Sequence, residues 1–99
     1  MHYYFDWDIV KAASNFRKHG VSFEEAIGVF KDPEALSLFD REQSDDEEER
    51  WITVGRAGKP GLLLVIHTVQ ESVNRYHIRI ISARRATKLE SMKFEEGAQ

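Results

Sequence analysis

The first third of the chain has the hydrophobic spacing of two short helices. Between Asp8 and His19, and again between Phe23 and Phe30, apolar residues recur every three or four positions, which is the period of an amphipathic helix. The residues that mark the ends of these segments are Gly20, the capping pair Ser22 and Glu25, and the stop Asp32-Pro33. The pattern therefore predicts two consecutive helices.

Apolar runs typical of β-strands follow these helices. The predicted strands are Ala35–Phe39, Arg50–Arg56, Leu62–Val69 and Tyr76–Ala83. They are separated by an exposed acidic loop at Asp40–Glu49, a glycine-rich turn at Gly58–Gly61 and a polar loop at Gln70–Arg75. A last helix is expected from Ala86 to Glu96. The order predicts an α+β fold, in which two N-terminal helices pack on a four-stranded antiparallel sheet and a C-terminal helix joins them on the same sheet face.

Parity sorts the strand residues, because side chains alternate between the two faces of a sheet. The even-numbered positions are uniformly apolar and are assigned to the core face: Ile52, Val54, Leu62, Leu64, Ile66, Ile78 and Ile80. His67 and Arg79 then project from neighbouring strands to the opposite face, beside Trp51. Since arginine pairs with phosphate oxygens and aromatic rings stack on bases, this face is a candidate platform for phosphates and bases.

A structural interpretation of the same residues stays open. His67 is then a strand residue satisfied by a backbone partner, and Arg79 a surface residue whose stem covers apolar neighbours. The odd positions also include Leu63, Val65 and Ile81, which is more apolar than a solvated antiparallel sheet usually is. We therefore expect a partner protein, or a second copy of the chain, to cover part of this face.

Length and composition limit the classes of function. With 99 residues, of which 41% are hydrophobic, the chain is expected to form one domain over residues 1–99. The sequence contains no cysteine, which excludes disulfides, a thiolate nucleophile and a cysteine zinc site. The first residues lack a signal-peptide pattern, and the longest apolar run, Leu62 to Ile66, is far shorter than the roughly 20 residues that span a bilayer. We expect a cytoplasmic protein without membrane contact.

Charge is unevenly distributed along the chain. The net charge is −3 and the pI is near 5.8. Asp40–Glu49 holds seven acidic residues and one arginine, a net charge of −6, so the rest of the chain carries +3. Basic residues are concentrated between Arg75 and Lys93, where a local field is expected to attract phosphates. The bases singled out at strand ends and turns are Arg56, Lys59, Arg84, Arg85 and Lys88. Before any resemblance is considered, bases at such positions are more often simply solvated surface residues.

Patterns typical of metal or cofactor sites are absent from the sequence. There is no HExxH pair, no P-loop and no GxGxxG. The acidic run lacks the alternating oxygen ligands and the turn glycine of a calcium loop. We expect neither a metal nor a cofactor.

Several motifs resemble the BrnT family of bacterial toxins. They are Phe5–Asp8, Asn15, Lys18–Ala26, Asp32-Pro33, Glu49–Ile52, Gly55-Arg56, His67-Thr68 and Ile78–Thr87, and together they extend over most of the chain. The resemblance implies a RelE-like fold and a ribonuclease toxin of a type II toxin–antitoxin system. Such a toxin cleaves RNA, inhibits translation and is neutralised by a cognate antitoxin. It contacts operator DNA only through the antitoxin complex.

The residue patterns and this resemblance together lead to the hypothesis that the protein is a metal-independent endoribonuclease. His67 would transfer the proton, while Arg79 and Arg84 would stabilise charge on the phosphate. The residues expected to grip RNA are Arg56, Lys59, Arg85, Lys88 and Trp51. The alternative is a catalytically inactive toxin-fold module that binds a partner protein and acts only through that complex. Burial of His67 on the helix side of the sheet would count against the proposed mechanism.

Overall fold

The computed structural model of the protein describes residues 2–97. Its elements are β1 His2–Asp6, α1 Ile9–His19, α2 Phe23–Ala26, a 3-10 helix Ile27–Lys31, β2 Leu36–Phe39, β3 Glu49–Gly55, β4 Leu63–Ser72, β5 Arg75–Arg85 and α3 Lys88–Gly97. The strands form one five-stranded sheet in the order β1-β5-β4-β3-β2. β1 runs parallel to β5, and the other neighbours are antiparallel. None of the described helices is long and apolar enough to cross a membrane.

The α+β class is as predicted, but the sheet has one strand more than expected. β1 is an edge strand whose residues pair with the start of β5, and the rings of Tyr3 and Tyr76 stack with centroids 5.5 Å apart. Tyrosine and phenylalanine favour strands, yet five residues at a chain end give too little alternation to separate a strand from a loop. The predicted four-stranded antiparallel sheet is therefore corrected to a five-stranded mixed sheet.

The predicted ends of the first helix and the predicted start of the second are confirmed by their caps, whereas the last helix begins at Lys88 and not at Ala86. Asp8 accepts hydrogen bonds from the first turn of α1, and Gly20 ends that helix with a φ of 69°, which costs glycine little. The Ser22 hydroxyl accepts from the Glu25 amide at 3.0 Å, as its capping position predicts. The second helical segment is only four residues of α-helix before it tightens into the 3-10 helix.

The main core lies between the sheet and the segment from α1 to the 3-10 helix. The buried residues of this core are Val21, Phe23, Ala26, Val29, Leu63, Val65, Ile80 and Ala83. We call this side of the sheet the N-terminal face. Because Leu63 and Val65 face these helices, the assignment of the even positions to the core face is wrong for β4, and with it for β3, whose Thr53 pairs with Val65.

A β-bulge explains why parity fails. Val65 pairs with Ala83, but His67 pairs with Ile80, so β5 contains one extra residue opposite the Ile66/His67 step. An extra residue reverses the facing of all residues beyond it. Even-numbered Ile80 therefore shares the N-terminal face with odd-numbered His67.

The C-terminal helix covers the opposite side of the sheet, which we call the α3 face. Leu36, Val54, Leu64 and Arg84 are consecutive register partners and so share one face. Arg84 bonds to Glu90 of α3, and the backbone of Gly97 packs against Leu36. The expectation that all helices share one face is thus wrong, since α3 and the N-terminal helices enclose the sheet from both sides.

Candidate active site

A carboxylate at the end of β1 binds two basic side chains of β5. His77 Nε2 lies 3.0 Å from Asp6 Oδ2, and Arg79 Nη1 donates to Asp6 Oδ1 at 3.3 Å. Since Ile78 and Ile80 are buried on the N-terminal face, the alternating His77 and Arg79 project to the α3 face. All three side chains are a little under half exposed, so a ligand can reach them.

His67 does not join this group, because it is buried on the N-terminal face. Its ring meets the ring of Phe30 edge-on at 4.8 Å, and only 3% of the residue is exposed. Its Nε2 is 2.7 Å from Thr53 Oγ1, and Thr53 is in turn 2.7 Å from the Ser37 hydroxyl. Burial lowers the His67 pKa to about 4, so the ring is neutral at neutral pH. The prediction that His67 and Arg79 share an open face is wrong.

Trp51 also lies on the N-terminal face, as the register partner of His67. Its indole donates to Glu49 at 3.2 Å and meets Phe39 edge-on. Both residues line a wide cleft that also extends to Asp6 and His77, and whose lining includes Asp46, Glu47, Glu49 and Glu71. Glu49, which bonds to the Trp51 indole, and its acidic neighbours disfavour RNA phosphates at the Trp51 part of this cleft. Of the apolar odd positions that suggested an external partner, Leu63 and Val65 are covered by the protein's own N-terminal helices.

Arg84 shares the α3 face with Arg79 but is already paired. Its two terminal nitrogens donate to Glu90 at 2.8 and 2.9 Å, a bidentate arrangement that raises the Arg84 pKa. The hydrogen bonds that Arg84 donates to Glu90, and after them the bond from the Thr87 amide, lower the pKa of Glu90 to about 2. The charge of Arg84 is thus balanced within the fold.

The remaining predicted RNA contacts lie away from Asp6. Arg56 is 3.9 Å from Glu34 and lies over the Phe94 ring, and Lys59 is 3.9 Å from Glu25. Arg85 and Lys88 are exposed near the start of α3. These bases lie on accessible surface, but the structure does not bring them together with the Asp6 group.

Two members of this group escaped the sequence analysis as functional residues. Asp6 appeared only within a motif, because its role depends on the pairing of β1 with β5. His77 precedes Arg79 by two residues, and this spacing on one strand was the available signal. Among residues 2–97, no group of three or more His, Cys, Asp or Glu side chains is placed to hold a metal ion.

Comparison with known proteins gives two results. A family model described as "Ribonuclease toxin, BrnT, of type II toxin-antitoxin system" matches residues 7–90. The crystal structure of the Brucella abortus ribonuclease toxin BrnT is similar in fold, with a TM-score of 0.58 and 18% identity over 89% of this chain and 100% of that chain. No curated protein matches.

Proposed function

Since the chain belongs to the BrnT family of ribonuclease toxins of type II toxin–antitoxin systems, we propose that it cleaves RNA without a metal on the α3 face of its sheet. The observation that carries the proposal is that the carboxylate of Asp6 lies within hydrogen-bond distance of both His77 and Arg79. His77 replaces the buried His67 as the proposed proton-transfer group.

The geometry of Asp6 and His77 suits a general base. Because Asp6 faces Nε2, it favours the tautomer that carries its proton there and leaves Nδ1 able to accept one. In the proposed step, His77 removes the proton of the 2′-hydroxyl and the 2′-oxygen attacks the adjacent phosphorus. The bond to the 5′-oxygen then breaks, and the proton held by His77 is available to that oxygen. The products are a 2′,3′-cyclic phosphate and a 5′-hydroxyl.

Arg79 supplies the positive charge that this step needs. One guanidinium nitrogen is engaged by Asp6, so the arginine is held in place while its other donors remain available to phosphate oxygens. Arg84, further along the same face, is proposed to contact a flanking phosphate. Arg56 and Lys88 would extend this grip along the RNA, whereas Arg85, the register partner of Leu63, and Lys59, the partner of Glu25 in α2, lie on the N-terminal side. Trp51 and His67 instead support the fold on the other face.

A toxin of this class has an antitoxin as its partner. We propose that the antitoxin inhibits by covering the α3 face, and that operator DNA is contacted only through that complex. Support comes from Leu38, Leu89 and Met92, which are 66%, 61% and 51% exposed. They lie on or beside the α3 face, and such a concentration of exposed apolar side chains is typical of protein interfaces.

The test is cleavage of RNA by purified wild type, His77→Ala and His67→Gln, without antitoxin and with EDTA present. We expect cleavage by the wild type with cyclic phosphate ends, a loss of about 100-fold or more in His77→Ala, and near wild-type rates in His67→Gln. Loss of cleavage on chelation, or an active His77→Ala beside an inactive, folded His67→Gln, would overturn the proposal. No cleavage by any of them would favour the alternative of an inactive binding module.

A further inference from the structure

We propose that Arg50 is a second phosphate-binding residue, and that it forms with Thr68 and Arg79 an anion site for the phosphodiester that is cleaved. This inference rests on the proposed function, because it adds a residue to the α3-face site. Arg50 was not among the functional residues expected from the sequence.

The placement follows from strand register. Arg50 pairs with Thr68 across β3 and β4, and Thr68 pairs with Arg79 across β4 and β5. Register partners project to the same face, so these side chains form one row on the α3 face. Neighbouring strands are about 4.8 Å apart, which puts the two arginine backbones about 10 Å from each other with the threonine between them. Two long arginine side chains can span that distance and meet over Thr68.

The Arg50 guanidinium has a donor that the fold does not satisfy. Its Nε is buried and has no hydrogen-bond partner among residues 2–97. Within the same residues no carboxylate is within ion-pair distance of Arg50, whereas Arg56, Arg79 and Arg84 each have one. A guanidinium that is partly unsatisfied and that no carboxylate neutralises costs free energy, so an incoming anion that binds its terminal nitrogens would be favoured.

The backbone of Arg50 is fixed in a way that suits a binding role. Its amide donates to the Ser44 hydroxyl at 2.8 Å, and its carbonyl accepts from the Asp40 amide at 2.8 Å. Both contacts come from the acidic loop, which thereby holds the first residues of β3 against the sheet. Arg50 is therefore a strand residue whose backbone amide and carbonyl are both hydrogen-bonded.

The chemistry of the row matches a phosphodiester in the transition state. Negative charge grows on the non-bridging oxygens as the 2′-oxygen attacks, and guanidinium groups on either side stabilise that charge. The hydroxyl of Thr68, a residue only 4% exposed, lies at the centre of the row as a further donor. His77 lies two residues from Arg79 on the same face, so the proposed base is next to the phosphate.

The experiment compares Arg50→Met and Arg50→Lys with the control Arg41→Met, an arginine of the acidic loop. Arg50→Met should lower kcat about 100-fold. It should also reduce the salt dependence of binding to a 2′-O-methyl RNA by about 0.7 in the log-log slope. Arg50→Lys, which keeps charge but loses the planar fork, should fall between. The control should cleave and bind as the wild type does.

Stability separates a binding role from a structural one. Removing an unsatisfied donor should leave the free energy of unfolding of Arg50→Met unchanged or higher, whereas loss of a structural arginine would lower it. Wild-type kcat and salt dependence in Arg50→Met, with His77→Ala inactive, would overturn the anion site and leave the proposed function intact. Failure of the wild type to cleave, with salt-sensitive binding that still depends on Arg50, would overturn the proposed function and support the anion site.

Discussion

His67 and Arg79 lie on neighbouring strands, yet they project to opposite faces of the sheet. Arg79 pairs with Thr68, the residue after His67, and it bonds to Asp6 on the α3 face. His67 instead points under Phe30 and bonds to Thr53. The two histidines near this point, His67 and His77, therefore have different environments, and their substitution should affect different properties.

His67 should make the stability of the protein depend on pH. Its pKa is lowered from 6.5 to about 4 by burial, so the unfolded chain takes up a proton over a range in which the folded chain does not. Stability should therefore fall as pH drops from 6.5 towards 4 and level off below, with a total loss of about 3 kcal/mol. Urea unfolding at a series of pH values measures this.

The control is His67→Gln, which removes the titrating group while keeping a polar partner for Thr53. All other ionisable groups are shared, so the difference between the two curves isolates His67. Between pH 7 and pH 5 the wild type should lose about 2 kcal/mol more than the variant. Parallel curves would show that His67 is not buried as a neutral ring.

Glu90 should couple the stability of α3 to the charge of Arg84. It pairs with Arg84 and accepts from the Thr87 amide, while its own amide donates to the Thr87 hydroxyl at 3.1 Å, which is a capping box. Glu90→Ala should lower the free energy of unfolding by about 1 kcal/mol or somewhat more, since both groups are partly exposed. It should also strengthen RNA binding, because it frees a cation on the α3 face.

Thr87→Ala is the matched control, because it weakens the same cap without touching the ion pair. It should destabilise the protein by a similar or smaller amount and leave RNA affinity unchanged. If Glu90→Ala and Thr87→Ala changed RNA affinity equally, the position of helix α3, and not the charge of Arg84, would govern binding. Unfolding curves and titration with a 2′-O-methyl RNA give the two quantities.

Sequence signals were sufficient to predict helix boundaries where a capping residue acts on its own turn of helix. Gly20 and the Ser22 and Glu25 pair mark helix boundaries that the structure retains, because capping depends on neighbours in sequence. Parity failed in β4, where Leu63, Leu64 and Val65 are all buried. A strand covered on both faces has no polar side to reveal its orientation. The bulge at Ile66/His67 then reversed the relation between β4 and β5.

The candidate site depended on contacts distant in sequence. Asp6 and His77 meet only because β1 adds to the sheet edge beside β5, and this pairing leaves no local pattern. The sequence shows that the segment from β5 to α3 is basic. It does not show which of the arginines in this segment have a carboxylate partner. Whether the predicted site residues act in catalysis stays a prediction for the experiments above.

Asn15 illustrates a motif residue whose observed contacts are structural. Its amide nitrogen donates to the carbonyls of Val21 and Ala83 at 3.1 and 2.8 Å, and its oxygen accepts from Ala83 and Ser82. These bonds join α1 to β5. Asn15→Ala should lower the free energy of unfolding by about 2 to 3 kcal/mol, because buried backbone groups lose their partners. Ser14→Ala, on the exposed side of α1, should be neutral or stabilising. If both substitutions changed the free energy of unfolding by a similar small amount, the buried hydrogen bonds of Asn15 would not stabilise the fold as proposed.

The acidic loop should weaken RNA binding through its charge alone. Asp45, Asp46, Glu47 and Glu48 are exposed and precede Arg50, at the end of β3 where the anion row begins. Replacing them with Asn and Gln removes like-charge repulsion towards RNA while leaving β3 unchanged. Affinity for a 2′-O-methyl RNA should rise several-fold at low salt, and the gain should shrink as ionic strength shortens the Debye length to about 10 Å and below. A matched change of Glu95 and Glu96, at the far end of α3, should have a smaller effect. An affinity gain that persists at high salt would instead indicate that the loop sterically blocks the row.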